Sequence, residues 1–107
     1  MGTARTSNEK LSELLLDIIG FEWNGTKSRQ NLEKHGIDFD EATEVFYGSD
    51  LLRQSDRKGE SRWTAVGETE NRIVAVIFTR RGQNIRIISA RRARKNEERA
   101  YRNEKMG

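Results

Sequence analysis

Six consecutive apolar residues, Ile73-Val74-Ala75-Val76-Ile77-Phe78, stand in a chain of 107 residues that is 34% hydrophobic and 35% charged. Being apolar toward both faces, the run reads as the central strand of a sheet covered on each side. A charge fraction this high approaches that of chains that never fold, so the core must be small and concentrated in a few such segments. The neighbouring segments 51–54, 63–68 and 85–90 also read as strands. Their connections, around 56–60, 69–71 and 81–84, are short and polar, which suits an antiparallel meander.

Ahead of the meander, Phe21-Glu22-Trp23 is a short alternating strand. Asn24 and Gly25 then turn the chain into a helix that runs to about His35, where Gly36 offers a left-handed stop. Asp38 starts a second helix in a pattern resembling a capping box with Glu41, Ala42, Val45 and Phe46 form its apolar stripe, and Gly48 ends it. Residues 95–104 predict a charged helix with little to bury beyond Ala100 and Tyr101. Leu11, Leu14, Leu15, Ile18 and Ile19 recur at helical spacing in the first 20 residues, with Ser7 as N-cap and Gly20 as stop. That stripe has to pack on the core or on a partner chain. The expected architecture is α+β, an antiparallel sheet of about four to five strands with helices packed on one face and an extra N-terminal helix. The expected division is an extension over 1–20 and one domain over 21–107.

Composition excludes several functional classes. Without cysteine, and with a single histidine, the chain has neither a disulfide framework nor the ligands of a thiolate or multi-histidine metal site, so no metal and no cofactor are expected. The longest apolar stretches fall far short of the roughly 20 residues that span a bilayer. Glu9, Glu13 and Asp17 interrupt what could otherwise resemble a signal peptide. A soluble, non-exported protein of the reducing cytoplasm is expected. No glycine pattern of a phosphate-cradling loop is present, and no Ser/His/Asp or Cys/His arrangement is legible.

The net charge of +3 conceals a strong asymmetry. Ten of the 20 Lys and Arg residues fall in the last 28 positions. Arg80 and Arg81 end one strand, and Arg91, Arg92 and Arg94 end the next, so arginines edge both ends of the last hairpin. In simple alternation Ile85, Ile87, Ser89 and Arg91 share one face of the last strand while Arg86, Ile88 and Ala90 share the other. Arg86 in such a strand must snorkel, find a carboxylate or face an anion. Guanidinium groups converging on a sheet face suit a phosphodiester, each binding two oxygens, although a solvated basic surface would look the same from the sequence. Lys27, Asn31 and His35 repeat at i, i+4 and i+8, a polar stripe along one side of the first core helix. His35 sits in the last turn, where the helix dipole favours a cation, so it serves either as a helix-end compensator or as a proton carrier. Asp38, Asp40, Glu41 and Glu44 either pair with the chain's own arginines or repel polyanions from the second helix.

One set of residues carries a family resemblance. Phe21-Glu22-Trp23-Asn24, Lys27, Asn31, Lys34-His35-Gly36-Ile37, Phe39, Arg62, Gly67, Arg86-Ile87-Ile88-Ser89-Ala90-Arg91, Glu98-Arg99 and Tyr101 together resemble BrnT, the toxin half of bacterial type II toxin-antitoxin pairs. The resemblance spans about 21–101, with Asn24 where family members carry Asp and the N-terminal helix as an addition. It implies a RelE-like fold, a ribonuclease activity that blocks translation, and neutralisation by a BrnA-like ribbon-helix-helix antitoxin. Operator DNA would be met only through that antitoxin, in a hetero-oligomer, with no membrane partner. Cleavage without a metal needs an activated 2′-hydroxyl, a stabilised phosphorane and a protonated 5′-oxygen. The candidates are Arg80 and Arg91 first, then His35 and Lys27, for chemistry, with Arg62, Arg86, Arg92 and Tyr101 for holding RNA. A non-catalytic RNA-binding module, or a degenerate toxin acting only within its complex, is the competing reading.

Overall fold

The computed structural model describes residues 15–48, 51–57 and 59–106. Five strands form one sheet: β1 (Gly20–Glu22), β2 (Leu51–Arg57), β3 (Glu60–Glu68), β4 (Ile73–Arg81) and β5 (Asn84–Arg92). Between β1 and β2 lie α1 (Gly25–His35), α2 (Phe39–Thr43) and a 3-10 turn (Glu44–Tyr47), and α3 (Lys95–Met106) closes the chain. The order across the sheet is β1-β5-β4-β3-β2. The expected α+β class and antiparallel meander hold, with β4 central and β1 added in parallel to β5.

Local chemistry explains the helix ends. The Asn24 side chain accepts from the Lys27 backbone N–H at 3.0 Å, so the amide caps α1 as a carboxylate would. Gly36 takes φ 74° and ends that helix in the left-handed region, where a side chain would be strained. Asp38 accepts from the Glu41 N–H at 2.8 Å and caps α2. The second helix is shorter than its sequence pattern predicts, tightening after Thr43 into the 3-10 turn.

Alternation along β4 divides its side chains between two layers. Val74, Val76 and Phe78, with Ala65, Ile85, Ile87 and Ala90, bury against Ile37, Phe39, Ala42, Val45 and Phe46. Rings link the layers, Phe46 standing edge-on to Phe78 with centroids 5.0 Å apart and Phe21 tilted on Phe46 at 5.3 Å. On the opposite side Ala75 and Val66 pack against Tyr101 of α3, so the terminal helix covers one end of the second face. Arg72 ties the β3–β4 turn to the helices, with Nε and Nη2 on the Glu41 carboxylate at 3.0 Å each and Nη2 also on the Gly36 carbonyl.

Two expectations need correction. Strict alternation fails in β5: Phe78 faces Ile87 but Ile77 faces Ser89, so Ile88 is an extra residue in a β-bulge. Ala90 therefore joins Ile85 and Ile87 in the core, while Ser89 and Arg91 lie beside Ile77 and Ala75 on the second face with Arg86. Of the N-terminal helix predicted between its cap at Ser7 and its stop at Gly20, the part before residue 15 lies outside the described residues. In its described part, residues 15–17 form a turn, and Gly20 opens β1 instead of ending a helix. Ile18 and Ile19 are not helical because the chain here pairs with the β4–β5 turn, the Ile19 N–H donating to the Gln83 carbonyl at 2.8 Å.

Candidate functional site

The bulge is where helix and sheet chemistry meet. β1 pairs with β5 only as far as Arg86, which leaves the backbone of β5 beyond it in need of partners. Asn31 supplies them. Its Nδ2 donates to the Ala90 carbonyl at 2.7 Å and to the Ile37 carbonyl at 2.8 Å, and its Oδ1 accepts from the Ala90 N–H at 3.3 Å and the Ser89 hydroxyl at 3.5 Å. The amide is thus fully used as donor and acceptor, and it fastens α1 along the strand edge. Asn31 reads as part of a solvated stripe from its spacing, yet it is buried.

With α1 fastened there, the rest of its stripe borders an open groove of about 200 Å³ lined by Lys27, Gln30, Asn31, Lys34, His35, Ile88 and Ser89. Two ammonium groups, one imidazole and one hydroxyl therefore share a cleft. His35 is half-buried, and Lys27 and Lys34 are exposed. Lys34 and Ser89 were not among the sequence candidates. Lys34 lies seven residues after Lys27, a helical repeat that carried the signal, whereas Ser89 enters only through the bulge.

The sheet face beyond the bulge is basic. Arg86 neighbours Thr79 in register, and its Nη1 lies 3.0 Å from Glu22 Oε2. Arg81 lies 3.6 Å from the same carboxylate, and Asn84 donates to its other oxygen at 3.0 Å. The Asn84 hydrogen bond, then the arginines, hold the Glu22 carboxyl below its usual range against the opposing effect of burial. Arg62 is paired with Glu60 at 3.2 Å.

The remaining candidates lie apart from the groove. Arg80 pairs in register with Ile85 and Arg91 with Ala75, five residues apart along β4 and on opposite faces, about 16 Å by strand rise. A single phosphate does not reach both. Arg80 Nη2 holds Asp17 at 2.7 Å, and Arg91 grips both oxygens of Glu97 at 2.7 and 2.9 Å. Arg92 is exposed at the far end of β5, beside Glu98 and Arg102. Tyr101 is 4% exposed and donates to Glu68 at 3.2 Å, so its ring is not open for stacking. Burial, then Glu68, raises its hydroxyl pKa. Among the acidic residues of the second helix, Asp38 caps, Glu41 binds Arg72 and Glu44 accepts from the Glu70 N–H. Among the described residues no three His, Asp or Glu side chains converge as metal ligands would, and no helix is long and apolar enough to cross a membrane.

The family described as the ribonuclease toxin BrnT of type II toxin-antitoxin systems matches residues 23–97. The chain belongs to the BrnT family. The match begins just before α1 and ends in the first turn of α3, so it contains the groove, the bulge and both arginine-rich strand ends of this BrnT chain. It leaves out β1 and the segment before it. An RNA substrate and an antitoxin partner follow from the family, and the groove's cationic lining suits an RNA phosphate. No curated protein gives a significant match to the chain.

Proposed function

We propose that this BrnT chain is a metal-independent endoribonuclease whose chemistry is centred on the groove between α1 and the β5 bulge. The supporting observation is the convergence there of His35, Lys27, Lys34 and Ser89. In this reading the scissile phosphate sits among the ammonium groups. His35 takes the proton of the 2′-hydroxyl, whose oxygen attacks phosphorus, and Lys27 returns a proton to the departing 5′-oxygen. The P–O5′ bond breaks as the 2′-O–P bond forms, leaving a 2′,3′-cyclic phosphate and a free 5′-hydroxyl. Lys34 stabilises the added negative charge, with Arg62, Arg86 and Arg92 holding flanking phosphates. Arg80 and Arg91 act from the two ends of the hairpin, on opposite faces of the sheet. The cellular result is inhibition of translation in the cytoplasm. Relief comes from a BrnA-like antitoxin with a ribbon-helix-helix module, through which alone the pair reaches operator DNA.

The test is incubation of the purified chain with a long single-stranded RNA in EDTA, with mapping of the new ends. Cyclic-phosphate ends are expected from the wild type and from neither His35→Ala nor Lys27→Ala, while Arg80→Ala retains cleavage. Salt-sensitive RNA binding without new ends would replace this reading with that of a binding module.

A further inference from the structure

The segment that precedes the family match is fastened to the turn end of the β4–β5 hairpin by two carboxylates, besides its backbone pairing and the packing of Leu15, Ile18 and Phe21 on the core. Asp17 Oδ1 meets Arg80 Nη2 at 2.7 Å, and Glu22 Oε2 meets Arg86 and Arg81 at 3.0 and 3.6 Å. Backbone pairing sets the register: the Ile19 N–H donates to the Gln83 carbonyl, and Gly20 lies opposite Asn84. A Cβ on residue 20 would lie 3.3 Å from Asn84 Oδ1, so glycine permits the close approach. Two carboxylates thereby occupy three guanidinium groups at the turn end of the hairpin, Arg81 and Arg86 from the basic face and Arg80 from the other.

These are the positions an RNA phosphate would take. A carboxylate and a phosphate present guanidinium with the same pair of acceptor oxygens, and both compete for the same donors. Asp17 is 61% and Arg81 64% exposed, so their contacts exchange with solvent and other anions at little cost, while the Glu22–Arg86 pair, 29% and 33% exposed, is held more firmly. We propose that the turn end of the hairpin is an RNA phosphate subsite masked by the chain's own residues 17–22. Asp17 and Glu22 serve as built-in competitors that RNA displaces. The inference rests on RNA as the substrate, but not on the groove as the place of cleavage.

The test measures binding of a fluorescently labelled single-stranded RNA oligonucleotide to the full chain across a salt series. Asp17→Asn/Glu22→Gln removes both competing charges while keeping side-chain shape. Its control, Asp40→Asn/Glu70→Gln, removes two exposed charges that hold no arginine among the described residues. Unmasking is expected to tighten binding about fivefold at low salt and to steepen the slope of log affinity against log salt by about 1.4, for two extra phosphates at about 0.7 each. The control is expected to move by less than about twofold, as a long-range effect screened by salt. Equal changes in the two pairs, or none in the first, overturn the proposal. If Glu22→Gln proves unfolded by circular dichroism, Asp17→Asn alone decides, with tighter binding expected and unchanged binding overturning it. Cleavage is scored separately at saturating protein. Cleavage without the affinity split defeats the subsite alone, and the split without cleavage defeats the catalytic reading alone.

Discussion

Arg80 and Arg91 make the same chemical contact at opposite ends of one hairpin, and the two pairs differ in nearly every other respect. Arg91 holds both oxygens of Glu97, and the side chains are 22% and 6% exposed. Arg80 holds one oxygen of Asp17, which is 61% exposed. Glu97 also accepts the Arg94 N–H at 2.8 Å at the start of α3, so it caps the helix and anchors it to β5 in one gesture. The hydrogen bonds from Arg91, helped by that N–H and by Arg94, hold its carboxyl down to about 2 in spite of burial. An ion pair gains its energetic weight from what surrounds it, so the Arg91–Glu97 pair belongs to the fold, while the Asp17 end of the Arg80 pair, 61% exposed, is the more readily exchanged.

The difference can be broken from the stable side first. Glu97→Ala leaves Arg91 without its partner and α3 without its anchor, and should cost about 3 kcal/mol, read as a drop on the order of 10 °C in the thermal midpoint. Asn31→Ala should follow at about 2 kcal/mol, because the backbone of Ala90 loses a donor and an acceptor at a buried edge. Its RNA cleavage should fall with it, since α1 and the groove lose their fastening.

Acid sharpens the comparison further. A carboxyl held at about 2 in the folded chain and 4.5 in the unfolded one contributes stability that is complete above pH 4.5 and lost as pH falls toward 2. The acid limb of the stability curve should therefore flatten in Glu97→Gln. The smallest effect belongs to Asp17→Asn, which should leave the thermal midpoint unchanged while altering RNA affinity. A marked loss of stability there would erase the distinction between the two ends.

Much of this architecture was legible because apolar runs of strand length and short polar turns leave little choice. The central Ile73–Phe78 run, the caps at Asn24 and Asp38, and the stop at Gly36 are local chemistry, and local chemistry is readable. The bulge was not, since Ile85 to Ala90 is equally compatible with unbroken alternation, and only the pairing with β4 reveals Ile88 as extra. That single residue moves Ala90 into the core and Ser89 to the second face. The parallel pairing of β1 was likewise invisible, because three residues carry no sign of their partner. At the site, spacing put Lys27 and His35 on one side of α1, but the acid-base partners of Arg80, Arg86 and Arg91 are 63, 64 and 6 positions away and are brought close only by the fold.

The buried amide of Asn31 has a consequence for how this chain can vary. Among the cations of the groove, Lys34 is exposed and another cation of similar reach could stand in for it, though not for the proton carriers His35 and Lys27. Position 31 admits no such exchange: aspartate lacks the donors that the Ile37 and Ala90 carbonyls require, leucine satisfies neither, and glutamine is one methylene too long for the same geometry. The geometry around Asn31 is thus more exacting than that around Lys34, although position 31 meets no RNA and only keeps the groove in place.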